Sequence, residues 1–163
     1  MWAAALQTYY PKENLLPNKQ ALGLWYAQLQ DIPYEVAQTA LNRWVATEKW
    51  SPTIADMRSQ AAEIIYGSAG DWGDGWKQVL SAIGRFGQYR VQEALESMDE
   101  ITRECVERLG FVELCRGENL AVDRANFRTL YEAISERKNK DRQTPESIML
   151  RIGQIQQKRL AGE

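Results

Sequence analysis

Residues 22–58 read Leu22-Gly-Leu-Trp25-Tyr-Ala-Gln-Leu29-Gln-Asp31-Ile-Pro33-Tyr-Glu-Val-Ala37-Gln-Thr-Ala40-Leu41-Asn-Arg-Trp44-Val-Ala-Thr-Glu-Lys-Trp50-Ser-Pro52-Thr53-Ile54-Ala-Asp56-Met57-Arg58. Apolar residues recur here at helical spacing. Leu22, Trp25, Tyr26 and Leu29 fall at i, i+3, i+4 and i+7, as do Ala37, Ala40, Leu41 and Trp44. Ile54 and Met57 open a third stripe, continued by Ala61 and Ile64. Between the stripes stand start signals. Pro33 suits the first turn of a helix that begins after Asp31. Thr53 is an N-cap whose bond Asp56 can return from three residues on.

The same period runs through the rest of the chain. Trp76, Val79, Leu80 and Ile83 form one stripe, Phe127, Leu130, Tyr131 and Ile134 another, and Ile148, Ile152 and Ile155 the last. Gly87 stands where a left-handed C-cap is wanted, Asp99 starts a helix that Gly110 ends, and Thr144-Pro145-Glu146 starts the final one, with Pro145 at its first position. No stretch alternates with period 2. The fold class expected is all-α, a small N-terminal helical bundle followed by a second helical unit, with about eight to ten helices in all.

The internal boundary is the stretch Gly67-Ser-Ala-Gly70-Asp71-Trp72-Gly73-Asp74-Gly75, four glycines in nine residues, where backbone ordering is expensive. All six tryptophans lie at or before residue 76. The expected organisation is residues 1–66 as the first unit, 67–75 as a glycine-rich linker and 76–163 as the second unit with a basic, amphipathic tail. A first unit this small needs large buried rings, and Trp25, Tyr26, Tyr34, Trp44 and Trp50 are the candidates.

Composition narrows the chemistry. The 163 residues are 44% hydrophobic and 26% charged, with a net charge of −2 and no histidine. Histidine-based acid–base catalysis, Ser-His-Asp triads and His pH switches are therefore excluded. Cys105 and Cys115 lack the partners of a structural zinc site and read as small hydrophobes. No Gly-Lys pair exists to build a phosphate-binding loop. Asp71 to Gly75 fails as a calcium loop, because the third liganding position is Gly73 and the bidentate acid would fall on Ala82. A linker with Asp74 capping the next helix is the simpler reading. The acid pairs Glu93/Glu96 and Glu104/Glu107 read as solvated helix faces. No nucleophile has a base beside it, so the expectation is a protein that is not an enzyme and has neither metal nor cofactor. The N-terminus has no basic n-region and no apolar run approaches a membrane span, so the expected location is the cytoplasm, with no membrane partner.

Charge is uneven. Residues 91–136 hold eleven acids and five arginines, a net of −6; residues 137–159 hold seven Lys/Arg and two acids, a net of +5. Two binding signals follow. Arg137, Lys138, Lys140 and Arg142 form a basic segment that can meet phosphates or an acidic protein face, or can be a solvated turn at a helix C-terminus. The Ile148/Arg151/Ile152/Ile155 face, with Met149 beside it, makes a narrow apolar stripe that closes its own bundle or lies in a partner's groove.

Three elements of residues 22–58 go beyond patterning: the Trp25 helix, the helix start Asp31-x-Pro33-Tyr34-Glu35, and Trp50-x-Pro52-Thr53-Ile54-Ala55-Asp56-Met57-Arg58 after Trp44. With Tyr9-Tyr10-Pro11 upstream, they resemble the first domain of the phage replicative-helicase loader and inhibitor family. The downstream segments Trp76–Ile83, Gly87–Tyr89, Glu93–Ser97, Glu113–Cys115 and Asp123–Phe127 are similar to the second half of phage replication proteins that carry this domain. The resemblance implies a non-enzymatic replication protein of the bacterial cytoplasm. It would bind a host-type hexameric replicative helicase, holding it inactive or delivering it to the phage origin with an initiator protein. In that family the helicase is bound by the C-terminal part, which is flexible when free; here that part is long and patterned like a folded segment. The alternatives are a DNA-binding replication accessory, with nucleic acid as a secondary partner, and a phage inhibitor of another host machine such as a defence system.

Overall fold

Helix ends in the computed structural model, which describes residues 1–68 and 70–161, lie close to where local chemistry puts them. Among the described residues there are ten α-helices and no strand. They are α1 (Trp2–Tyr9), α2 (Lys19–Leu29), α3 (Tyr34–Thr47), α4 (Ile54–Tyr66), α5 (Trp72–Phe86), α6 (Val91–Glu96), α7 (Glu100–Leu109), α8 (Phe111–Arg116), α9 (Leu120–Gln143) and α10 (Glu146–Ala161). A single 3₁₀ turn, Gly87–Tyr89, joins α5 to α6. The all-α class read from the sequence is the observed one.

The expected caps form. The Asp56 backbone N–H donates to Thr53 Oγ1 at 3.2 Å, and the Thr53 N–H donates to Asp56 Oδ2 at 2.8 Å, a complete capping box. The Thr102 N–H donates to Asp99 Oδ1 at 2.8 Å. Gly87 and Gly110 end their helices at φ +60° and +87°. Three details differ. Pro33 and Pro145 each precede the first residue of their helix instead of occupying it. The start of α5 is capped by Asp71, which accepts from the Gly73 N–H at 2.6 Å, and Asp74 sits in the first turn.

That cap changes the reading of the glycine stretch, because residues 72–75 are helix. A Cβ on Gly75 would lie 2.8 Å from Thr102 Oγ1 and 2.9 Å from Tyr131 Cε2. Glycine is there so that α5 can approach α7 and α9 closely, and flexibility is not its purpose.

The chain forms two compact units, Met1–Ser68 with Lys140–Glu163, and Ala69–Asn139. The first boundary falls in the glycine stretch. The second falls inside α9 and has no counterpart in the sequence pattern, which kept 76–163 together. In the first unit Leu6, Leu16, Leu41 and Met57 are buried, with Trp2, Trp25, Trp44 and Val45 packed half-buried around them. The Trp2 indole donates to the Ala37 carbonyl at 3.0 Å and its ring meets Trp25 at 5.8 Å; the Trp44 indole donates to the Trp50 carbonyl at 2.8 Å. The expected ring burial is only partly met: Tyr26, Tyr34 and Trp50 are exposed. Pro52 supplies buried surface next to Trp50 in the sequence, and what Trp50 contributes to the bundle is its backbone carbonyl. In the second unit Trp76, Val79, Cys105, Val106, Phe111, Phe127, Tyr131 and Ile134 form the core, with Phe127 centred 5.3 Å from Trp76 and 5.7 Å from Tyr131. Gln78 fastens α5 to the start of α7, donating to Asp99 Oδ2 at 2.6 Å and accepting from the Asp99 N–H at 2.9 Å.

Candidate partner-binding surface

The structure separates the basic segment into two environments. Arg137 and Lys138 belong to the unit built on α5–α9 and grip α7. Arg137 Nη2 is 2.7 Å from Glu104 Oε1, and Lys138 Nζ is 2.9 Å from Glu100 Oε1 and 3.2 Å from Glu104 Oε2. Arg108 adds a third cation to Glu104 at 2.6 Å. Burial alone would raise the Glu104 carboxyl, but Lys138, Arg108 and Arg137 outweigh it and hold the group below its ordinary range. Burial would likewise lower the Lys138 ammonium, and Glu100 with Glu104 keep it raised instead. The Lys138 side chain is only 17% exposed. These two cations join α9 to α7.

Lys140 and Arg142 lie past that point, in the other unit. The Arg142 guanidinium stacks over the Tyr66 ring at 4.8 Å, and the Lys140 carbonyl accepts from Thr144 Oγ1 at 2.8 Å. The α9–α10 turn thereby starts under local control.

Helix α10 carries the remaining predicted residues, and no residue of it is buried. Ile148, Ile152 and Ile155 are 37%, 42% and 53% exposed, and Arg151 is exposed beside them. Leu150 and Leu160 are more open still, so the apolar surface reaches beyond the predicted stripe. Of the eight predicted residues, these four stand together on one helix, while Arg137 and Lys138 stand apart in ion pairs.

A second surface was not foreseen. The α1, α2 and early α3 helices enclose an open cleft of about 530 Å³ lined by Trp2, Leu22, Trp25, Tyr26, Leu29, Pro33 and Tyr34, with no Asp, Glu, Lys or Arg side chain among its walls. Leu22, Trp25, Tyr26 and Leu29 read as a core stripe, yet α2 has no buried residue. Leu24, on the other side of the helix, was the available signal: a helix apolar on more than one face has more surface than one small bundle covers.

Reactive groups are subdued. Burial, with Glu104 adding to it, pushes the Cys105 thiol up to about 11, which keeps it protonated and non-nucleophilic at neutral pH. Burial also raises Cys115. Among the described residues no group of three or more Cys, Asp or Glu is placed to hold a metal ion, and no helix is long and apolar enough to cross a membrane.

The geometry is that of a small helical protein that presents apolar surface on α10 and in the cleft between α1, α2 and α3. Residues 3–58 match the family model for the N-terminal domain of the phage helicase loader and inhibitor. The match takes in α1, α2, α3 and the start of α4, and it ends on Arg58. It covers the Trp25 helix, Trp44, Trp50 and the Pro52-Thr53-Ile54-Ala55 start on which the sequence resemblance rested. No curated protein and no solved structure matches the chain.

Proposed function

We propose that this protein is a non-enzymatic phage or prophage replication protein that binds a host-type hexameric replicative helicase, holding it inactive, loading it at the origin, or both, in the cytoplasm of the bacterial host. The match of residues 3–58 to the helicase loader and inhibitor domain carries the reading. The mechanism is stoichiometric. Binding favours a helicase state that cannot turn over ATP or close on DNA, by as much as the protein's affinity differs between the two states.

The contact face is assigned to Ile148, Arg151, Ile152 and Ile155, with Lys140 and Arg142 at its base. Exposed isoleucines on one helix supply apolar area, and flanking cations choose an acidic groove and speed encounter. Arg137 and Lys138 contribute by holding α9 to α7.

The test is co-purification of the tagged chain with a purified bacterial replicative helicase, together with the helicase ATPase rate. Retention with a changed rate is expected; no retention and no change would end the helicase reading. Proteomics of the retained host proteins then decides whether another machine is the target. A salt-sensitive shift of DNA by the protein alone would favour the DNA-binding accessory instead.

A further inference from the structure

In the unit built on α1–α4 and α10, one guanidinium gathers groups from two distant parts of the chain. Arg58, on α4, is only 7% exposed. Its Nη1 donates to the Gln28 carbonyl at 2.6 Å and to Asp31 Oδ1 at 2.8 Å, its Nη2 donates to Asp31 Oδ2 at 2.8 Å, and its Nε donates to the Gln143 carbonyl. Gln28 and Asp31 close α2; Gln143 is the last residue of α9. The backbone of Glu146, the first residue of α10, is close enough to add to the lowering of the Asp31 carboxyl that Arg58 leads. Gln143 adds a bond from Nε2 to Ser59 Oγ at 3.4 Å.

These contacts are polar and fall on Gln143 and Glu146, on either side of the buried Pro145. The helix that follows buries nothing of its own. We propose that Arg58 and Asp31 form a clasp that holds the α9–α10 corner on α2 and α4, so that the seat of α10 depends on one guanidinium–carboxylate pair in addition to the buried ring of Pro145. The planar fork explains the choice of arginine. It faces a carboxylate with two donors while a third meets a carbonyl, an arrangement that a lysine ammonium cannot reproduce. Gln143 and Glu146 serve through their backbone, so side-chain identity there is not demanded.

The test is amide hydrogen exchange on the full-length chain, comparing the native protein with Asp31→Asn and Arg58→Lys. Asp31→Asn keeps the shape of the pair and removes its charge. The clasp requires that the amides of Thr144, Glu146, Ile148 and Met149 exchange at least about tenfold faster, while those of Leu41, Val45, Met57 and Ala61 in α3 and α4 stay within about twofold of native. Unchanged exchange at the corner overturns the proposal. So does loss of protection throughout α3 and α4, since Arg58 would then be an ordinary support of the bundle. If Arg58→Lys does not fold, Asp31→Asn alone decides.

Discussion

Asp31 and Arg58 face each other through two hydrogen bonds, Oδ1 to Nη1 and Oδ2 to Nη2, each 2.8 Å long. The pair has an acid limit. The Arg58 hydrogen bonds hold the Asp31 carboxyl below its ordinary value against the opposing pull of burial. A carboxyl depressed on folding stabilises the protein above its unfolded pKa of about 3.9, and that stabilisation is lost as pH falls through the folded value. Thermal midpoints followed by circular dichroism should therefore drop below about pH 4, and Asp31→Asn should show a shallower drop than the native chain. Glu104, depressed by Lys138, Arg108 and Arg137, adds a decline of the same sign in the other unit. Identical pH slopes for native and Asp31→Asn would contradict the Asp31 contribution.

Two glycines of one helix should respond oppositely to alanine. Gly75→Ala places a methyl against Thr102 and Tyr131 and should cost about 1–3 kcal/mol. Gly84, in the same helix, has open space where its Cβ would be, so Gly84→Ala should gain about 0.4–1 kcal/mol. Urea unfolding of the two variants, with equal m-values required, measures both.

The capping box should be worth a separable increment. Thr53→Ala removes the acceptor for the Asp56 N–H and should cost about 0.5–2 kcal/mol in chemical unfolding. Thr53→Ser keeps the oxygen and should stay close to native. Equal losses in the two variants would assign the effect to the methyl group.

Within the tail, stability and binding should part company. Ile152→Asp changes an exposed side chain and should move stability by no more than about 0.5 kcal/mol while abolishing helicase retention. Lys138→Ala leaves Glu100 and Glu104 without their shared cation and should lower the thermal midpoint. Its retained fraction in the pull-down should be native at a temperature where it is folded. A binding defect confined to Lys138→Ala would move the contact face from α10 to α9.

Residue order alone sets the helices and their ends, because the forces that fix them are local. Thr53 reaches Asp56 across three residues, Asp99 reaches Thr102 likewise, and Gly87 and Gly110 need nothing but their own φ. The resemblance of the Trp25–Arg58 block rests on residue order too. Which apolar stripes are buried and which charges are paired across helices depends on how the chain packs. The stripes of α3 and α5 found partners, α2 packed Trp25 and Leu29 but left Leu22 and Tyr26 exposed, and α10 kept its stripe open, although apolar residues at helical spacing look the same in each case. Arg137 and Lys138 read like any basic turn until α7 brings Glu104 to them. Arg58 and Gln143 lie 85 residues apart, and no local period encodes a bond between a side chain and a distant carbonyl. Such contacts exist only once the chain has closed on itself, because their energy comes from desolvated groups that meet in space and not from neighbours along the backbone.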